Sequence, residues 1–188
     1  MPVNQWLDLK ETVMTGRSNK LTCQIGEFLV CAEIGKRGLI ATPFAGNVPK
    51  FDIIVADEHC RTLPIQVKTS NSDNWNASAD QWMNIEIDDK GKRQIFKGKL
   101  EIEDPNLIYV CVAIDNTSKN KDRFFILQKK DIQDVCVKGY CKWMDKIDWK
   151  RPRNYKSLDN RYRIQDIEKH ENNWDLVVQE LNKKQKIV

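Results

Sequence analysis

The chain has 188 residues and a net charge of +4, from 31 basic and 27 acidic side chains; 40% of its residues are hydrophobic and 31% charged. That length suits one domain with a buried core, or one domain carrying an appended helical segment, and the composition excludes a membrane protein and gross disorder. The longest apolar runs, residues 53–56 and 107–114, fall far short of a bilayer span. Residues 1–11 lack the apolar stretch of a signal peptide, so the expected compartment is the cytoplasm. The six cysteines form no Cys-x-x-Cys pair and only two histidines exist, so reduced thiols are expected. His59, Cys60, Cys136 and Cys141 do not match a common zinc spacing.

In chain order, a polar lead ends in the turn-like residues 15–19, and Thr22 is a candidate cap for a helix reaching about Lys36, stopped by Gly38. Ile25, Phe28, Leu29 and Ala32 mark one face of this helix, and Val30, Cys31 and Ile34 cover much of the other, so it is expected to be largely buried. Strands are expected at 39–42, 51–56 and 63–69, with a turn-rich loop at 43–50 and a polar turn at 57–61. Residues 70–80 read as a loop, followed by a hairpin, 82–87 and 94–96, around residues 88–91. The run 107–114 is expected to be a fully buried strand, 123–127 a returning strand, and 129–137 a short helix. Beyond Gly139 the pattern loosens until Trp174, Val177, Val178 and Leu181 mark an amphipathic C-terminal helix. The expected division is a core over 1–138 and a basic, aromatic extension over 139–188 packed on the same domain. A helix, three strands, an excursion, two strands and a helix make an α/β or α+β layer architecture.

Within strand 63–69, side chains alternate, so Ile65 and Val67 point one way and Gln66 and Lys68 the other. Asp52 interrupts an apolar run in the preceding strand, and Glu27 sits among apolar neighbours on the first helix. Two carboxylates converging in a half-buried place are costly, since burial and like charge both oppose ionisation. A bound divalent cation removes both costs, and oxygen ligands suit Mg²⁺ or Mn²⁺ rather than zinc. Asp57 and Glu58 are competing acidic residues, ranked lower because they fall in a turn.

Three segments carry a resemblance: Gly26-Glu27-Phe28-Leu29-Val30, then Pro49-Lys50-Phe51-Asp52-Ile53-Ile54-Val55, then Ile65-Gln66-Val67-Lys68-Thr69-Ser70, with Gly38 between the first two. Together they resemble the PD-(D/E)xK nuclease superfamily, in its Gln-x-Lys variants and archaeal-type Holliday junction resolvases. They also resemble short bacterial proteins of unassigned function in which Gln-Val-Lys precedes a tryptophan, as Trp75 or Trp82 does here. The resemblance implies a restriction-endonuclease-like core, with a mixed central sheet flanked by helices. It implies that Asp52, Gln66, the Val67 carbonyl and Glu27 hold Mg²⁺ or Mn²⁺, and that Lys68 orients the attacking water. The implied reaction is phosphodiester hydrolysis in DNA to a 5′-phosphate and a 3′-hydroxyl, in repair, recombination, restriction or defence. Gln66 stands where the superfamily usually has an acid, which removes one negative charge that Glu27 restores. The alternative is an inactive nucleic-acid-binding or interaction module keeping the nuclease fold.

Residues 142–163 hold eight basic residues against three acidic, interleaved with Trp143, Trp149, Tyr155 and Tyr162. Such a stretch neutralises phosphates and stacks on bases, or packs its aromatics back on the core; both readings stand at this point. Lys50, Thr69, Ser70, Lys142, Lys150, Arg151, Arg153 and Lys156 are the candidate DNA-contacting residues. DNA is the expected partner, with a homodimer or a protein partner in a defence or repair system as further expectations.

Overall fold

The computed structural model describes residues 19–44, 50–115 and 121–184. Its central layer is a five-stranded mixed sheet in the order β1-β2-β3-β7-β8, built from Ile40–Pro43, Ile53–Ala56, Thr62–Ser70, Ile108–Ala113 and Arg123–Gln128. Only β3 and β7 run parallel. The excursion between them carries β4 (Asn74–Ser78) and the hairpin β5–β6 (Met83–Asp88 and Arg93–Lys99). β9 (Asp159–Arg163) returns from far along the chain to pair antiparallel with β4.

The sheet is covered on both faces. Alternation along β3 sends Ile65 and Val67 to one side, where they meet Val110 of β7, Val30 and Ile34 of α1 (Asn19–Gly35), and Val177 and Leu181 of α4 (Asp175–Lys183). The opposite face places Tyr109 and Cys111 against Trp75, Tyr162 and α2 (Lys129–Asp145), whose Ile132, Cys136, Tyr140 and Met144 recur at helical spacing. Every residue of β7 is buried, as expected for a strand covered on both sides. A single turn, α3 (Ile164–Ile167), follows β9.

Several expectations are corrected. The first helix already includes Asn19, the first described residue, and Thr22 lies buried inside it rather than capping it; its hydroxyl accepts a hydrogen bond from Asn71 Nδ2. It is not largely buried: only the stripe Thr22, Gly26, Val30 and Ile34 is covered, and Phe28 is 56% exposed. Gly38, at φ +79°, ends the turn after the helix, where a side chain would be strained.

The supposed loop 70–80 contains β4, followed by a 3₁₀ turn at Ala79–Gln81. Asparagine and serine are poor strand formers, yet Trp75 drops into the core and fixes the strand by tertiary contact. The helix expected to stop at 137 runs to Asp145 because Tyr140 and Met144 bury beyond Gly139. The α2 helix therefore crosses residue 138, and β9 ties residues 159–163 to the excursion.

Candidate active site

The β2 strand pairs with β3 only as far as Ile53↔Ile65. Asp52, just outside the strand, gives its backbone N–H to the Ile65 carbonyl at 2.9 Å, and from there the two chains part. Its carboxylate occupies the gap: Asp52 Oδ2 accepts the Val67 N–H at 2.8 Å and a hydrogen bond from Gln66 Nε2. Gln66 Nε2 also lies 3.4 Å from the Val67 carbonyl oxygen. The strand edge left open beyond Ile65 thus holds a carboxylate, an amide and a backbone carbonyl together.

α1 reaches this edge through a close contact. A Cβ on Gly26 would lie 1.9 Å from Thr69 Oγ1, so only glycine allows the helix to approach β3 here. The neighbouring Glu27 is thereby brought to a cavity of about 510 Å³ whose walls include Glu27, Asp52, Gln66, Val67 and Lys68. All four side chains expected from the sequence, with Val67, line this one space. Lys68 lies on the sheet face of Cys111, its register partner, and its carbonyl is held by Trp75 Nε1 at 2.8 Å.

The electrostatics fit a place prepared for positive charge. Burial pushes the Glu27 carboxyl up, and the Asp52 charge pushes it further. Burial also raises Asp52, opposed by the Val67 N–H and the Lys68 ammonium. Burial, with lesser contributions from Cys111 and Asp52, pushes the Tyr109 phenol up to about 12. Two carboxylates that each resist ionisation, beside a neutral amide and a carbonyl oxygen, are a donor set suited to a hard divalent cation. Among the described residues no group of three or more His, Cys, Asp or Glu side chains is placed to hold a metal, so any such site relies on the Gln66 and Val67 oxygens.

The other acidic candidates go elsewhere. Asp57 accepts from the His59 and Arg61 backbones and from Arg61 Nε at 2.6 Å, while Glu58 is exposed. A larger cleft of about 780 Å³, bordered by Asp73, Lys121 and Glu171, has Glu171 bound at both oxygens by Arg123.

The candidate DNA contacts divide. Thr69 faces Gly26, and its buried hydroxyl has no hydrogen-bond partner among the described residues. Ser70 Oγ is used in the turn into β4, donating to the Asn74 carbonyl at 2.6 Å. Lys50 pairs with Glu103, Lys150 with Asp148, and Lys156 with Asp89. Arg151 donates to the Ser157 and Asp159 carbonyls and lies over the Trp143 ring. Lys142 and Arg153 are exposed. Of the aromatics, Tyr162 is buried and stacked on Trp75, Trp149 stacks with Phe96, Tyr155 bonds Asp89, and Trp143 is 38% exposed.

Sequence reasoning missed Asn74 and Asn76, which line the same cavity. The alternation Asn74, Trp75, Asn76, Ala77 was the signal, a period of two that the low strand propensity of asparagine concealed. No helix among the described residues is long and apolar enough to cross a membrane.

No protein-family model matches the sequence, and no curated protein is significantly similar to it. Among solved structures, the chain is similar to a bacterial homing endonuclease, I-Ssp6803I, with 11% identity over 90% of this chain and 99% of that one and a TM-score of 0.53. It also matches Hjc, a Holliday junction resolvase from the archaeal hyperthermophile Archaeoglobus fulgidus, with 15% identity over 77% of this chain and 91% of that one, at a TM-score of 0.35. The fold assignment rests on the first of these and on the mixed sheet flanked by helices: the chain has a restriction-endonuclease-like fold.

Proposed function

We propose that the protein is a metal-dependent DNA endonuclease. The observation that carries this reading is the meeting of Glu27, Asp52, Gln66 and Lys68 on one cavity where β2 and β3 part. Asp52, Glu27, the Gln66 side-chain oxygen and the Val67 carbonyl would hold Mg²⁺ or Mn²⁺. When bound, such a cation supplies a lowered pKa for attacking water and stabilisation of charge at phosphorus. Lys68 adds a fixed positive charge at the same mouth, where it orients the water and neutralises a non-bridging phosphate oxygen. The Val67 N–H holds the Asp52 carboxylate in place, and the Trp75 indole fixes the backbone of Lys68. The products expected are a 5′-phosphate and a 3′-hydroxyl. Cutting both strands of a duplex calls for a second copy of the chain, and repair, restriction or defence against mobile DNA is the setting this chemistry fits.

The test is incubation with supercoiled plasmid and Mg²⁺ or Mn²⁺, against an EDTA control and Lys68→Ala. Metal-dependent nicking that fails in the variant is expected; equal nicking by the variant, or none by either, overturns the reading.

One observation favours a second reading, an inactive nucleic-acid-binding module. Gln66 Nε2 donates to Asp52 and so satisfies a carboxylate oxygen from within the protein. That reading expects salt-dependent DNA binding indifferent to EDTA and to Asp52→Ala.

A further inference from the structure

The β4–β9 ribbon has two unlike faces. Trp75 and Ala77 of β4, with Asn160 and Tyr162 of β9, turn inward; Trp75 and Tyr162 stack at 5.4 Å, and Asn160 Nδ2 bonds the Cys136 carbonyl. The other face is polar throughout. Its cross-strand pairs are Asn74 with Arg163, Asn76 with Arg161, and Ser78 with Asp159.

This face joins two concavities. Asn74 and Asn76 line the cavity that holds Glu27, Asp52 and Lys68. Arg161 and Arg163 line a second groove of about 500 Å³, with Lys142 of α2 and Lys146 just past the end of that helix on its wall. The chain pairs most of its arginines internally: Arg37 with Glu33, Arg61 with Asp57, Arg93 with Asp88, Arg123 with Glu171, and Arg151 with two carbonyls. Arg161 and Arg163, like Arg153, are exposed and meet no carboxylate within ion-pair distance among the described residues, although Asp159 and Asp166 lie in the same groove as the first two. Asp159 accepts from Ser157 Oγ, and Asp166 caps the Arg163 backbone N–H.

We propose that the outward face of this ribbon enters the major groove of duplex DNA and reads base edges through Asn76, Arg161 and Arg163. This deepens, and rests on, the endonuclease reading. Its two strands lie about 4.8 Å apart, so with their side chains they fit the roughly 12 Å width of a B-form major groove, which admits a two-stranded ribbon. Arginine bonds guanine at two acceptors, and asparagine bonds adenine at a donor and an acceptor, so this face carries the two side-chain types that discriminate bases best. Lys142 and Lys146 on the wall beside the arginines match the charge of a phosphate backbone, which fixes register without reading sequence. Continuity of the ribbon with the cavity places the bases being read next to the phosphate being cut. The major groove of an RNA duplex is too deep and narrow for such a ribbon.

The experiment selects from randomised DNA duplexes with wild-type protein in EDTA, then with Asn76→Ala, Arg161→Ala and the conservative Arg161→Lys, and sequences the retained pool. Wild type should enrich a short motif. Arg161→Lys, which keeps the charge but not the two-pronged donor, should lose about tenfold preference at one guanine while keeping its dependence on salt. Arg161→Ala should also show a shallower salt dependence. The inference is overturned if wild type enriches nothing, if all three variants enrich the unchanged motif, or if RNA duplex competes as well as DNA. Cleavage by the wild type with Mg²⁺ of duplexes carrying the enriched motif is scored separately, so a motif that is bound but never cut would sink the nuclease reading and leave the ribbon's role standing.

Discussion

The two basic regions of this chain use their charges in opposite ways. At the end of β3, Lys68 lines a cavity with two half-buried carboxylates whose ionisation is resisted, so positive charge is still wanted there. Along residues 150–156, Lys150 and Lys156 pair with Asp148 and Asp89, and Arg151 is spent on backbone carbonyls. A dense run of basic residues therefore identifies a DNA-facing surface poorly; whether each charge already has a partner decides the matter. By that criterion Lys68, Arg161 and Arg163 fall with Lys142 and Arg153, which also meet no carboxylate among the described residues, and apart from Lys150, Arg151 and Lys156.

The contrast breaks most readily at Asp52. Asp52→Ala leaves the Val67 N–H without its acceptor and removes a carboxylate from the cavity, so plasmid nicking should fall at least about 100-fold. Nicking within a few-fold of wild type would mean that the chemistry lies elsewhere. The next effect is structural. Gly26→Ala places a methyl group against Thr69 and should cost about 1–3 kcal/mol in a urea titration, with nicking reduced because Glu27 moves with the helix. Unchanged stability and nicking would show that the close approach of α1 is dispensable.

A third effect concerns pH and metal. Glu27 and Asp52 bind protons more tightly folded than unfolded, so their contribution to stability is present below their ordinary values of 4.5 and 3.8 and is lost as pH rises through the higher folded values. Above that window the paired negative charges burden the fold, and Glu27→Gln should melt higher than wild type without divalent metal. At about ten times its dissociation constant, Mg²⁺ should add about 1.4 kcal/mol to the wild type, a few degrees in Tm, and less to the variant. A lower melting temperature for Glu27→Gln, or an equal metal response, would contradict this account. The smallest effect belongs to the paired lysines. Lys50→Ala and Lys156→Ala should change DNA affinity less than about threefold in a fluorescence titration, since each exposed charge already faces a carboxylate. Tenfold losses would return those residues to the DNA surface.

Much of the site was legible because its residues break a pattern. Asp52 interrupts an apolar run, and Gln66 with Lys68 alternates against Ile65 and Val67, a signal of burial at period two; β3 formed where expected, while β2 begins at Ile53 and leaves Asp52 just outside it. Glu27 was legible only beside Gly26, and the reason became visible with Thr69 in place against the glycine. The burial of α1 was misread because counting apolar residues around a helix does not say how many neighbours arrive; one sheet covers one stripe and leaves Phe28 outside. The β4 and β9 strands escaped because their pairing joins residues some eighty positions apart, and the stability of each lies in a ring that only the partner strand covers.

The most direct test is a crystal of the wild-type protein soaked in Mn²⁺ and measured for anomalous scattering. The account predicts a peak bounded by the Asp52 carboxylate, the Val67 carbonyl and the Glu27 side chain, absent from Asp52→Ala. No peak there at saturating Mn²⁺, or one only in the cleft beside Glu171, would contradict it.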